Sequence, residues 1–166
     1  MTTMSNEQTP GNASQFELGE IARDFTDVSS GLRGLVMRGG LGWCGYVGAP
    51  NEHPLNGIEE LKFRCHFGVN FAQQGEDTLF LPHGYYWWGW DYAHFSDMPI
   101  LPEHLEALEQ WRLSERGLQR KVWTVDEVAE EVMDVLMSLR VAIEENSQLA
   151  EIALKKATPV SGNRST

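Results

Sequence analysis

Polar and apolar positions alternate most regularly over residues 61–71. Leu61, Phe63, Cys65, Phe67, Val69 and Phe71 share one face, and Lys62, Arg64, His66, Gly68 and Asn70 share the other, which predicts a half-buried β-strand. Residues 85–90 form an aromatic run of strand type. A further strand is predicted over residues 43–47, entered through a Gly39–Gly40 turn. The glycines between Gly31 and Gly48 lack the Gly-Lys-Ser/Thr ending and the following helix of a phosphate loop, so they read as turns and strand punctuation. Residues 49–54 read as a loop, because Pro50 and Pro54 cannot donate to a ladder. Residues 72–77 read as a polar turn.

Helical spacing appears elsewhere. Phe16, Leu18, Ile21, Phe25 and Val28, with Asp24 and Asp27 opposite, predict a short helix. Pro102 suits the first turn of another, with Leu105, Leu108 and Trp111 three residues apart. The strongest pattern starts at a Thr124/Glu127 capping box and runs through Val125, Val128, Val132, Val135, Leu136, Leu139 and Ile143; residues 149–157 continue it or form a separate turn. Strands followed by helices predict an α+β domain, a small antiparallel sheet of about three to five strands covered by two or three helices. That domain is expected over residues 15–157, with disordered polar tails at 1–14 and 158–166.

Charge narrows the partners. The chain has 166 residues, 13 Lys+Arg against 24 Asp+Glu, and a formal net charge of −11, so nucleic acid is disfavoured. The charge is uneven, since residues 31–50 carry Arg33 and Arg38 and no acid. No apolar run approaches the roughly 20 residues needed to span a bilayer, and the first residues lack a basic, then apolar, leader pattern. A cytoplasmic protein is expected. Cys44 and Cys65, without CxxC spacing, read as buried thiols in a reducing compartment. A Cys65–His66 nucleophilic pair is disfavoured, because strand neighbours point to opposite faces.

Candidate chemistry gathers between His83 and Asp97. Tyr86, Trp88 and Trp90 could line a wall that is apolar yet hydrogen bonds, or they could simply fill a core. Adjacent Trp87 and Trp88 must face opposite sides. Asp91, His94 and Asp97 recur every three residues, and His66 would join them if its strand pairs with 85–91. With His53 from the Pro-bounded loop, these groups could hold a divalent ion such as Zn²⁺ or Mn²⁺, although no recognised metal spacing is present. Alternatively, Asp91 and His94 cap local backbone. Arg64, His66 and Asn70, on one polar face, suit a small anionic ligand, or Arg64 and Lys62 balance Glu59 and Glu60. The acids Asp126, Glu127, Glu130, Glu131 and Asp134 are the solvated face of the last helix.

Three segments in this order resemble a family of short, mostly uncharacterised proteins of phage and prophage genomes. They are residues 45–55 (GYVGAPNEHPL), 66–71 (HFGVNF) and 87–97 (WWGWDYAHFSD). The family pattern has a Gly-Tyr-Val…Gly-His-Pro loop, a His-Gly-Gly-Leu-Thr-Phe strand and a Trp-Trp…Asp…Ala-His…Gly-Asp segment. The resemblance spans roughly residues 42–139 and departs at Phe67 and Ser96, where the family carries Gly. It emphasises His53, His66, Asp91, His94 and Asp97, and implies the cytoplasm of a bacterial host. The function expected first is a phage-encoded accessory or counter-defence protein that binds a small anionic ligand or a host protein through His66, Arg64, Asn70, Tyr86, Trp88, Trp90, Asp91 and His94. A small metal-dependent hydrolase and an acidic decoy for a nucleic-acid-binding host protein are the alternatives. Self-association stays open.

Overall fold

A computed structural model describes residues 15–94, 96–97 and 121–145. Five strands, β1 (Ile21–Thr26), β2 (Arg33–Arg38), β3 (Trp43–Pro50), β4 (Phe71–Gln74) and β5 (Tyr85–Asp91), form one sheet in the order β1-β2-β3-β5-β4. Every neighbouring pair is antiparallel. One helix, α1 (Val125–Glu145), packs across β1, β2 and β3. The α+β expectation is met at this level, with one α-helix among the described residues. The tails at 1–14 and 158–166, the Pro102–Trp111 helix and the 149–157 segment lie outside the described residues. Among the described residues no helix is long and apolar enough to cross a membrane.

The aromatic strand shows why the sheet has two apolar faces. Side chains alternate along β5, so Tyr86, Trp88 and Trp90 enter the main core beneath α1 while Trp87 joins Leu35, Met37 and Leu81 on the opposite face. Rings of this size need space, and glycine supplies it across the ladder. Gly45 pairs with Trp90, Gly48 with Trp87 and Gly89 with Tyr46. The helix uses the same device: a Cβ on Gly34 would lie 2.5 Å from Val132 Cγ1, so α1 can sit close on β2. The capping box forms as its residue types require, with Thr124 N–H donating to Glu127 Oε2 at 2.9 Å and Glu127 N–H to Thr124 Oγ1 at 3.2 Å.

Four local expectations are corrected. Residues 16–28 are not helical: β1 pairs with β2, a strand the sequence did not announce, and Val28 is 90% exposed. Residues 61–70 belong to no ladder. Phe67 (φ 55°) and Gly68 (φ 83°) adopt left-handed backbone, and Gly68 N–H bonds to the Cys65 carbonyl, so a turn interrupts the alternation. Leu61, Phe63, Cys65 and Val69 still pack against the main core, as their common face requires, while Phe67 turns outward. The strand instead begins at Phe71 and runs through the expected polar turn to Gln74. β3 also runs past Val47 to Pro50, which ends the ladder opposite Tyr85, and Asn51 N–H then donates to the Gly84 carbonyl.

Candidate metal centre

The site forms where β5 leaves the sheet. Tyr92 N–H still bonds to the Trp43 carbonyl, and the chain then turns tightly, with Asp97 N–H donating to the His94 carbonyl at 2.9 Å. The turn points the Asp97 carboxylate inward, where the residue is 3% exposed. A buried carboxylate needs donors, and this one has several. Trp123 Nε1–H reaches Oδ1 at 2.9 Å, and the His94 backbone N–H reaches Oδ2 at 2.9 Å. His66 Nε2 lies 2.9 Å from both oxygens, and His94 Nδ1 lies 3.2 Å from Oδ2. Burial alone would raise the Asp97 pKa, but the donors from His66, His94 and Trp123 outweigh it and hold the carboxyl below its ordinary value.

Each imidazole is oriented by a ring. His66 stacks on Tyr92, centroids 4.6 Å apart and planes 6° from parallel, and meets Trp123 edge-on at 4.9 Å. His94 stacks on Phe67 at 3.9 Å. The left-handed turn at Phe67, where the resembled pattern carries Gly, brings that ring over His94. Tyr92 is fixed in turn, because its hydroxyl accepts from Trp90 Nε1 at 3.1 Å and donates to Glu131 of α1. Burial first, and then the Glu131 contact, raises the Tyr92 pKa strongly, so the hydroxyl stays protonated. The His66 and His94 side chains retain 14% and 26% exposure, so the cluster reaches the surface.

Nitrogen atoms of His66 and His94 and a carboxylate oxygen of Asp97 all lie within 4.8 Å of one another. The sequence named all three residues. It also named Asp91 and His53, which take other work. Asp91 accepts from Asn70 Nδ2 and from Ala93 N–H, and its Oδ1 stands 3.9 Å from His94 Nδ1, at the rim of the cluster. His53 donates from Nε2 to the Ser30 carbonyl (2.8 Å) and accepts Leu55 N–H at Nδ1 (3.1 Å), which fixes a neutral tautomer in a loop. Burial lowers its pKa, partly opposed by the Ser30 bond.

The anion-binding set comes together only in part: Asn70, Asp91, His94 and His66 adjoin, whereas Arg64 and the three aromatic residues stand apart. Arg64 is exposed and forms no hydrogen bond or ion pair among the described residues. Tyr86, Trp88 and Trp90 are core residues, and the Trp88 and Trp90 indoles donate to the Ile58 carbonyl and the Tyr92 hydroxyl. Their rings fill the interior and offer no stacking face. Cys65 is a poor nucleophile: burial, then the Glu131 charge, pushes its thiol up to about 11. Two parts of the site, Tyr92 and Trp123, lay outside the sequence-derived set. Tyr92 lies two residues past the aromatic run, and Trp123 directly precedes the capping box, yet neither position signals contact with His66 or Asp97. No protein-family model, curated protein or solved structure matches the chain.

Proposed function

We propose that His66, His94 and Asp97 hold one divalent transition ion, Zn²⁺ or Mn²⁺, and that the chain is a small metal-dependent hydrolase. The convergence of two imidazoles on one buried carboxylate carries this reading. The donor set fits such an ion, since imidazole with carboxylate suits Zn²⁺ and Mn²⁺. Donors around one Zn²⁺ stand about 3–3.5 Å apart. Asp97 Oδ2 already has near that spacing to both imidazoles, at 2.9 and 3.2 Å. Each Asp97 oxygen already accepts one N–H, Oδ1 from Trp123 and Oδ2 from the His94 backbone, which orients the carboxylate while leaving each oxygen lone-pair capacity for an ion. Three protein ligands would leave coordination capacity for water or substrate, and an ion held there would supply Lewis acidity toward a substrate oxygen.

The family resemblance supplies the setting, a phage-encoded accessory protein at work in the cytoplasm of a bacterial host. A covering of two or three helices remains part of this reading. Metal analysis and calorimetric titration with Zn²⁺ and Mn²⁺ test it. One ion per chain is expected, lost in His66→Ala, His94→Ala and Asp97→Ala and kept in His53→Gln. Protein that purifies with less than about a tenth of an equivalent and binds neither added ion overturns the metal reading.

A further inference from the structure

α1 is apolar on two sides. Val128, Val132, Val135, Leu136 and Leu139 face the sheet and are buried. Met133, Met137 and Val141 recur at i, i+4 and i+8 on another face and are 45%, 56% and 40% exposed. Beside them a groove of about 230 Å³ runs between α1 and the end of β1, with Phe25 and Thr26 on the strand side, Met133, Leu136 and Met137 on the helix side, and the Asp27–Arg140 ion pair also in its lining. β1 is an edge strand of the sheet.

Charge identifies the occupant. α1 carries seven acids, Asp126, Glu127, Glu130, Glu131, Asp134, Glu144 and Glu145, against one cation, Arg140. Glu130, Asp134, Glu144 and Glu145 are exposed; Asp126 is exposed but paired with Arg23 of β1 at 2.8 Å, and Arg140 is held by Asp27 at 3.2 Å and lies 4.0 Å from Glu144. A second copy would set these acids against themselves, and nucleic acid or an anionic membrane would be repelled. Methionine side chains, unbranched and polarizable, adapt to varied apolar partners.

We propose that this face docks a basic amphipathic helix of a partner protein, its apolar residues on Met133, Met137 and the groove and its Lys and Arg residues against the flanking acids. The surface is separate from the His66 cluster, so it stands or falls apart from the metal reading.

Fluorescence anisotropy with the full chain tests it, using a labelled lysine/leucine amphipathic peptide and its glutamate/leucine counterpart. The basic peptide should bind saturably, more weakly as salt rises, and the acidic one should not bind. Met133→Glu/Met137→Glu is the decisive variant. It adds charge of the attracting sign, so purely electrostatic binding would strengthen, whereas docking should weaken by about tenfold or more. Met133→Leu/Met137→Leu should preserve binding. Both pairs change exposed positions, and circular dichroism checks that the fold is kept. Absent saturable binding, binding undiminished by the Glu pair, or a dimer in sedimentation that the Glu pair splits would each overturn the proposal.

Discussion

His66 Nε2 stands 2.9 Å from both oxygens of Asp97, across 31 residues of chain. That contact, with Trp123 on Oδ1, joins three segments around one carboxylate: the turn after residue 65, the exit of β5 and the approach to α1. A parallel bridge between Asp97 and Lys121 reinforces the join. Asp97→Asn keeps the size of the side chain but removes the charge that strengthens these bonds. A loss on the order of 1–3 kcal/mol at pH 7 is expected. The folded pKa of Asp97 lies below its ordinary 3.8, so its contribution is present above that value and is lost as pH falls through the folded pKa. Urea midpoints of the parent chain and Asp97→Asn should therefore differ at pH 7 and draw together below about pH 4. Equal midpoints at pH 7 would show that the carboxylate holds nothing together.

The Tyr92 hydroxyl serves two neighbours at once, Trp90 and Glu131. Tyr92→Phe keeps the ring that stacks on His66 but strips the acceptor from Trp90 Nε1–H, in a residue 1% exposed. The orphaned donor should cost about 1–3 kcal/mol in denaturant unfolding. Because the ring remains under His66, metal binding in this variant should fall less than in His94→Ala. Calorimetric titration compares the two, and equal loss in both would mean that the hydroxyl, rather than the ring, orients His66.

The glycines of β3 are cut to fit rings. A Cβ on Gly48 would lie 2.6 Å from Trp87, and one on Gly45 would lie 2.6 Å from Trp90. Gly48→Ala and Gly45→Ala should each cost about 1–3 kcal/mol through overpacking, on opposite faces of the sheet. Gly40, with nothing within 4 Å of its hypothetical Cβ, is the control, and Gly40→Ala should stay within roughly 0.5 kcal/mol. Thermal or urea unfolding of the three variants decides, and an inert Gly48→Ala would refute the packing account.

These glycines also mark how far the sequence could be read. Features set by near neighbours were legible: the alternation of β5, the opposed Trp87 and Trp88, and the Thr124–Glu127 box. Features set by distant partners were not. β1 shows apolar positions that a helix would also present, and only its ladder with β2 decides between them. Residues 61–70 carry a strand-like pattern, yet two successive left-handed residues break it, and a non-glycine residue at the first of them gives no warning. In the site, the residue types His66, His94 and Asp97 were legible. The choice of Asp97 over Asp91 as the hub was not, since both lie three residues from His94. It depends on Trp123, which arrives from 26 residues away.

The two thiols should be inert in the folded chain. Burial, then the charge of Asp91, pushes Cys44 up to about 11, and burial, then the charge of Glu131, does the same for Cys65. Both lie above the ordinary 9.0, so the thiolate fraction near pH 7 is well below that of a free cysteine. Ellman's reagent should therefore react slowly with native protein and fast once urea unfolds it, and the native rate should keep rising with pH toward 11. Rapid native reaction of both thiols would contradict the partial burial that raises them. The same assay separates the thiols from the metal centre. Neither sulfur belongs to the His66–His94–Asp97 cluster, so Zn²⁺ loading should leave the chemical reactivity of the sulfurs unchanged apart from a general slowing of opening. Selective protection of Cys65 alone by the ion would instead make it a ligand, and the donor set would have to be redrawn around sulfur.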